Sequence, residues 1–317
     1  MSDSLVHSTA LMGTVVTVQV VGHGANHREV VARREAIDRA LGWFRELEER
    51  CSRFDEESEL RRLSAHIGEA VPASAMLFEA VRFALAVARE TDGAFDPTLG
   101  LEMEARGFNR EHRTGAVVRT ALEPATDVSF RDVRLDPDSR SITLLRPLLL
   151  DLGAVAKGLA IDMAARELEP FGNFAVDAGG DLYLGGSNAD GERWSVGIRH
   201  PREEGALIET LRVSNTAVCT SGDYERRASG AEGDHHILDP RSGESASAVA
   251  SATVLGPSAM VADALATAAF VLGPADGIAL LERHGVEGLL VTPSLERFAT
   301  RGMPAGHSRD PAAAAAQ

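Results

Sequence analysis

Hydrophobic and polar positions alternate with a period that changes along the chain. Thr14–Val20 (TVVTVQV) is rich in β-branched residues and predicts a strand. Residues 25–50 then carry Val30, Val31, Ile37, Leu41, Phe44 and Leu47 at helical spacing among charges, which predicts a long amphipathic helix. A second helical stretch, Ala75–Glu90, stops before the turn-forming TDGAFDP. Residues 131–147 read as a hairpin, because VRL and SITLL flank Asp-Pro-Asp. DLGAVAKG runs into an amphipathic helix ending near Glu169, and FAVDAGG, DLYLGG and WSVGIRH follow as short strands. Further strands are predicted at Leu207–Val213, 217–221, ATVLG and GLLVT, with helices over 260–272 and 275–284 and a turn-bearing loop at HHILDPRSG. No repeat of fixed period and no Pro/Ser linker interrupts this order, so one continuous α+β domain is expected. The tail RDPAAAAAQ is of low complexity and is expected to fray.

Composition narrows the functional classes. With 317 residues, 44% of them hydrophobic, the chain can build a sizeable core. The 47 acidic against 32 basic residues give a formal charge of −15, which repels nucleic-acid phosphates and anionic lipid heads. No nucleic-acid partner is expected. A phosphorylated small ligand stays open, because a bound divalent cation reverses the local sign. The two cysteines, Cys51 and Cys219, lie in core-facing segments without metal spacing and read as buried free thiols. The start MSDSLVHSTALMGTVVTVQV has no basic region followed by an apolar run and no cysteine for a lipid, so a cytoplasmic location is expected. No apolar run approaches the roughly 20 residues that span a bilayer, and direct membrane insertion is not expected.

Common cofactor signatures are absent: there is no GxxxxGK[ST], no GxGxxG between strand and helix and no HExxH. Short polar-glycine clusters stand out instead. Asp151-Leu-Gly-Ala-Val-Ala-Lys157-Gly158 precedes a helix, where free backbone N–H groups and the positive dipole end suit a phosphate. Lys157 in a first turn is unfavourable for the helix alone, and an anionic ligand would remove the conflict. The plain alternative is an Asp cap beside an exposed lysine. On the late helix, Asp263 and Thr267 are four apart among alanines, a plausible oxygen pair for a hard cation such as Mg²⁺. The competing reading has Asp263 capping a turn and Thr267 bonding back to a carbonyl. His235-His236 lacks a third ligand at zinc spacing, but beside the Asp-Pro-Arg-Ser-Gly turn it could position a proton or a ligand. Met12-Gly-Thr14, Cys51-Ser-Arg-Phe54, Ser58-Glu59-Leu60, Gly93-Ala-Phe-Asp96-Pro97 and Ala178-Gly-Gly-Asp181 each read singly as turns or caps. Phe54 and Phe95 are candidates for a slot that would take a purine ring.

Taken in order, MGT, ERCSRFDEESEL, TDGAFDPTLG, DLGAVAKGLAID, DAGGDLYLGG, TSGDYER, HHILDPRSG and ADALATAAFVLG resemble the ApbE family of FAD:protein FMN transferases from Met12 to Gly273, with GLLVT after them. The resemblance implies a single α+β, T-fold-related domain with mixed sheets and flanking helices, expected over 1–305, and the low-complexity composition predicts a disordered tail over 306–317. It implies FAD held in an extended cleft, and Mg²⁺ bound by the carbonyl of Ala154 and by Asp263 and Thr267. Family contacts to FAD fall on Met12, Phe54, Ala94, Phe95, Asp96, Asp151, Lys157, His236 and Ile237. Asp177 stands where an asparagine is common before AGGD.

The implied reaction is magnesium-assisted attack of a Thr or Ser hydroxyl of an acceptor protein on the FMN phosphorus of FAD, with AMP leaving. Lys157 and Asp151 belong to the implied catalytic set. His236 is a candidate general base, with Asp151 and Asp181 as alternatives. Two rival readings use the same residues: an FAD pyrophosphatase in which water replaces the hydroxyl, and a module that stores FAD without turning it over.

Overall fold

The computed structural model describes residues 4–22, 26–111, 114–123, 125, 127–225 and 234–304. The expected tail over 306–317 lies outside these residues. The chain opens with a hairpin of β1 (Leu5–Leu11) and β2 (Thr14–Val20), followed by the long helix α1 (His27–Cys51). Short elements come next: α2 (Glu59–Ser64), β3 (Val71–Pro72), α3 (Ala75–Glu90) and α4 (Gly100–Ala105). The hairpin β4 (Val133–Asp136) and β5 (Ser141–Leu144) leads into α5 (Gly153–Leu168), then β6 (Phe174–Ala178), β7 (Asp181–Gly185), β8 (Trp194–Arg199), β9 (Leu207–Val213) and β10 (Thr216–Gly222). The last part holds the small pair β11 (Leu238–Asp239) and β12 (Glu244–Ser245), then β13 (Ser251–Gly256), α6 (Ala259–Leu272), α7 (Pro274–His284), β14 (Glu287–Val291) and β15 (Arg297–Ala299).

Eight strands form one sheet in the order β1-β2-β6-β7-β10-β13-β14-β15, with every neighbouring pair antiparallel. Period-two alternation decides its two faces. Val16, Val18 and Val20 of β2 are fully buried under α1, α5 and α6, in one core that also takes Phe44, Leu47, Leu85, Ile161 and Phe270. On the opposite face Leu184, Val218, Leu255, Leu289 and Val291 meet Val196, Ile198, Ile208, Leu211 and Val213 of the β8–β9 hairpin in a second, smaller core. The molecule is therefore layered as helices, sheet and hairpin.

The predicted elements are found with shifts of one or two residues, α1 starting at His27 because Asn26 and Glu29 form a capping box there. Strands β8 and β9, predicted as continuations of the strand run, leave the main sheet and, among the described residues, pair only with each other. Both cysteines are buried, as expected. No helix among the described residues is long and apolar enough to cross a membrane.

Candidate functional site

One end of the large sheet is built from turns. Leu11 pairs with Thr14, so Met12 and Gly13 form a two-residue hairpin loop, both at positive φ. Ala178 pairs with Asp181, so Gly179 and Gly180 form a second such loop with φ of 69° and 96°. A Cβ on Gly179 would come within 2.2 Å of the Thr14 hydroxyl, so the two loops pack as closely as they do because this residue is glycine. The AGGD cluster thereby delivers Asp181 to the first position of β7, where it is buried and accepts from the Thr220 N–H at 2.8 Å.

Helices α5 and α6 cross this end of the sheet at close range. A Cβ on Gly158 would stand 2.5 Å from the Met260 Cα. One turn further along the same helix, Asp162 accepts from the Ser258 hydroxyl and from the N–H groups of Ala259 and Met260, capping the start of α6 from outside it. Burial pushes the Asp162 carboxyl above its usual range, against the opposing pull of these three donors. The clamp sets α6 so that the Asp263 carboxylate meets the Lys157 ammonium at 3.0 Å. Lys157 also pairs with Asp181, and both carboxylates have only 8% of their side-chain surface exposed. Thr267, one turn beyond Asp263, lies 3.1 Å from the Ser221 hydroxyl at the end of β10.

This geometry corrects one expectation. Lys157 is the fifth residue of α5, in its second turn rather than its first, and its ammonium is held by two carboxylates from β7 and α6. Leu152 stands at the cap position without a side-chain bond, so Asp151 does not cap the helix in the usual way either. Instead the Asp151 carboxylate accepts from the Gly153 N–H at 2.8 Å and from the Arg53 guanidinium at 2.7 Å. Arg53 is itself buried.

A cleft of about 750 Å³ opens between these parts. It is lined by Asp151, Ala154, Lys157, Asp181, Asp263 and Thr267 together with Ala94, Phe95, Asp96, His236 and Ile237. Met12 and Phe54 line an adjoining pocket of about 110 Å³, which shares Gly13, Asp151, Gly153 and Lys157 with the main cleft. The structure thus brings every expected site residue to one place, in two connected compartments. Ala94 and Phe95 are buried in the wall, and Asp96 ties its own loop by accepting from Thr98 and from the Phe130 N–H. Burial raises the Asp96 carboxyl, while those bonds oppose the rise. The Arg53 guanidinium lies 4.1 Å from the Phe54 ring centroid and covers one of its faces. The two histidines separate in role: His235 is buried with its Nε2 at 2.9 Å from the Ala246 carbonyl, while the half-buried His236 lines the cleft beside Phe108.

Sequence reasoning did not single out Arg53, Asp162 or Ser221. A signal for Asp162 was available in its spacing, since Gly158 and Asp162 are four apart and share a helix face. Arg53 depends on a partner 98 residues away and Ser221 on one 46 residues away, which no local pattern carries.

Comparisons with known proteins give the chain's family and fold. A family model described as the ApbE family matches residues 12–290. Among characterised relatives, a protein of Vibrio cholerae named FAD:protein FMN transferase is 31% identical over 273 residues, covering 83% of this chain and 80% of its own length. One of the same name from Haemophilus influenzae is 28% identical and covers 93% and 88%. Among solved structures, an ApbE protein of Thermotoga maritima superposes with a TM-score of 0.81 at 28% identity, over 94% of this chain and 97% of that one. The flavin transferase ApbE of Vibrio cholerae gives 0.78 at 27% identity, over 95% and 98%. With its turns, its crossed helices and its cleft all accounted for, the chain belongs to the ApbE family.

Proposed function

We propose that this chain is an enzyme that transfers FMN from FAD to a Thr or Ser hydroxyl of an acceptor protein, with Mg²⁺ at the pyrophosphate. The observation that carries this reading is the single cleft that gathers Lys157, Asp181, Asp263, Thr267, Ala154 and His236 from separate elements. The name shared by the relatives supports the same reaction. The donor set fits a hard cation: a carboxylate, a hydroxyl and the Ala154 carbonyl are oxygen ligands, and two buried carboxylates face one ammonium, leaving net negative charge where a pyrophosphate must enter. Bound there, Mg²⁺ would screen the pyrophosphate and polarise the phosphorus under attack.

The chain's own residues do the rest. Lys157, released in part from Asp263, turns its ammonium to the phosphate oxygens. Asp181 keeps hold of that side chain and limits its reach. Arg53 holds Asp151, and Asp151 holds the Gly153 N–H, so the loop entering α5 is rigid before substrate arrives. The acceptor oxygen forms a bond to the FMN phosphorus as the bond to the AMP oxygen breaks. His236, half-buried in the cleft wall, takes the hydroxyl proton. Phe54 and Met12, in the adjoining pocket, offer the apolar contact for the adenine.

Incubation of the purified chain with FAD, Mg²⁺ and candidate acceptors from the same cell, followed by in-gel flavin fluorescence, tests the reading. A covalently labelled protein band is expected. Free FMN and AMP with no labelled protein would assign the chain to FAD hydrolysis instead, and bound FAD without turnover would assign it to storage.

A further inference from the structure

The cleft does not stop at the acidic cluster. It continues around the end of the sheet onto the outer face, where Thr17, Gln19, Ala175 and Asp177 form its floor and residues 194–199 of β8 form its wall. The β8–β9 hairpin covers the outer face over β7, β10, β13 and β14 and reaches Ala175 of β6 at its margin. The outer face of β1 and β2 is left open, with Val6 59% and Val15 58% exposed. A groove therefore runs between the open half of the sheet and the near edge of β8.

That edge has main-chain groups to offer. Strand β8 pairs with β9 and with no other strand, so the N–H and C=O groups on its other side lack a ladder among the described residues. Its direction is set at both ends. The Trp194 indole donates to the Gly185 carbonyl at 2.9 Å, at the far end of β7, and Arg199 reaches Glu225 at 2.9 Å beside Tyr224, at the site end of β10. Six residues of strand span about 20 Å, so the edge leads from solvent to the mouth of the acidic cluster.

We propose that the acceptor protein docks by adding an extended segment to the free edge of β8, so that its Thr or Ser arrives at the Arg199 end of the groove next to Asp181 and Ser221. The proposal rests on the transfer reading above, which requires a protein hydroxyl at this place. An extended segment satisfies the unpaired edge with main-chain bonds, whatever its side chains, and leaves alternate side chains to meet Ala175 and Gln19 on the floor. It also turns a two-stranded ribbon, marginal by itself, into three strands. Strand β1, the other open edge on this side of the sheet, contributes no residue to the cleft, which favours β8.

The test uses the acceptor that the wild-type chain labels in extracts of its own cells, purified by its flavin fluorescence and expressed unlabelled. Ala175→Trp and Gln19→Trp fill the groove floor at residues outside the acidic cluster, and having two such variants guards against one failing to fold. The expected result is a KM for the acceptor raised about tenfold or more, with unchanged kcat and FAD affinity in both variants and an unchanged melting temperature for the Gln19 variant. In the wild-type chain, hydrogen exchange of the amides at 195–198 should slow when the acceptor is added. An unchanged KM in both variants, or acceptor-dependent protection in β1 rather than β8, overturns the docking site while leaving the transfer reading intact. A parallel loss of FAD affinity in both variants also overturns it and makes the groove a bed for the flavin ring. If the wild-type chain labels no protein at all, the transfer reading falls and the docking proposal falls with it.

Discussion

At the scale of single residues, Lys157 shows how a partner changes the sign of an argument. A cation near a helix start should cost the free protein about 0.3–1 kcal/mol, so its removal would be stabilising. The structure reverses this, because Lys157 holds two buried carboxylates that would otherwise face each other. Lys157→Ala should therefore lower the stability of the ligand-free protein by about 3 kcal/mol, as expected for breaking a buried ion pair from one side. Chemical denaturation checks this, and a variant as stable as wild type would contradict the pairing. Asp263→Ala is a gentler change for the fold, since Lys157 keeps Asp181. It should nevertheless abolish Mg²⁺-dependent turnover, with Thr267→Val weakening it less. Near-normal activity of the Asp263 variant would remove that residue from the metal site. The cysteines give a third expectation at this scale: burial pushes the Cys51 thiol up to about 12 and the fully buried Cys219 well above its usual value. The reactive thiolate is favoured only above those values, so at pH 8 neither residue of the native protein should react with iodoacetamide, as read by mass spectrometry.

At the scale of elements, the crossing of α5 over α6 positions the acidic cluster. Gly158 permits the approach and Asp162 locks it. Gly158→Ala gains up to about 1 kcal/mol of helix propensity. The added methyl nevertheless collides with backbone of the neighbouring helix, and overpacking of that kind costs about 1–3 kcal/mol. We expect a lower melting temperature together with weaker FAD binding, because Lys157 and Asp263 sit on the two helices that must separate. Loss of stability with normal FAD affinity would show that the crossing does not set the site. The element boundaries themselves were largely legible: the capping box at Asn26, the Ser74 and Ser258 caps and the paired glycines before Asp181 are local signals. The short helices α2 and α4 were not, since a six-residue helix has too few turns to display a period.

At the scale of the whole molecule, the acidic cluster lies where α5 and α6 meet the end of the sheet, so a ligand bound there ties these two layers together. Such a ligand stabilises the native state by about 2.7 kcal/mol when present at a hundred times its Kd. FAD with Mg²⁺ should accordingly raise the melting temperature by several degrees, and chelation of the metal should remove most of that gain if the cation and the pyrophosphate are bound together. A shift from FAD that chelator leaves unchanged would argue that the nucleotide binds without the metal.

By itself the sequence determined most of the local framework: which segments are strands and helices, where the turns fall, that the two cysteines are core residues, and which clusters are too polar and glycine-rich to be mere filler. Such features follow from side-chain period, capping chemistry and backbone freedom, all of which act over a few residues. The ordered set of clusters also carried the family resemblance over most of the chain. What only the tertiary structure decided were the pairings between distant segments. Lys157 finds Asp181 and Asp263, Arg53 finds Asp151, and Asp162 finds the start of α6. The departure of β8 from the main sheet is of the same kind, because a strand's pattern says that it has an apolar face and not which surface will cover it. Charge partners and sheet neighbours are chosen by packing across the whole core, and that choice leaves no periodic trace along the chain.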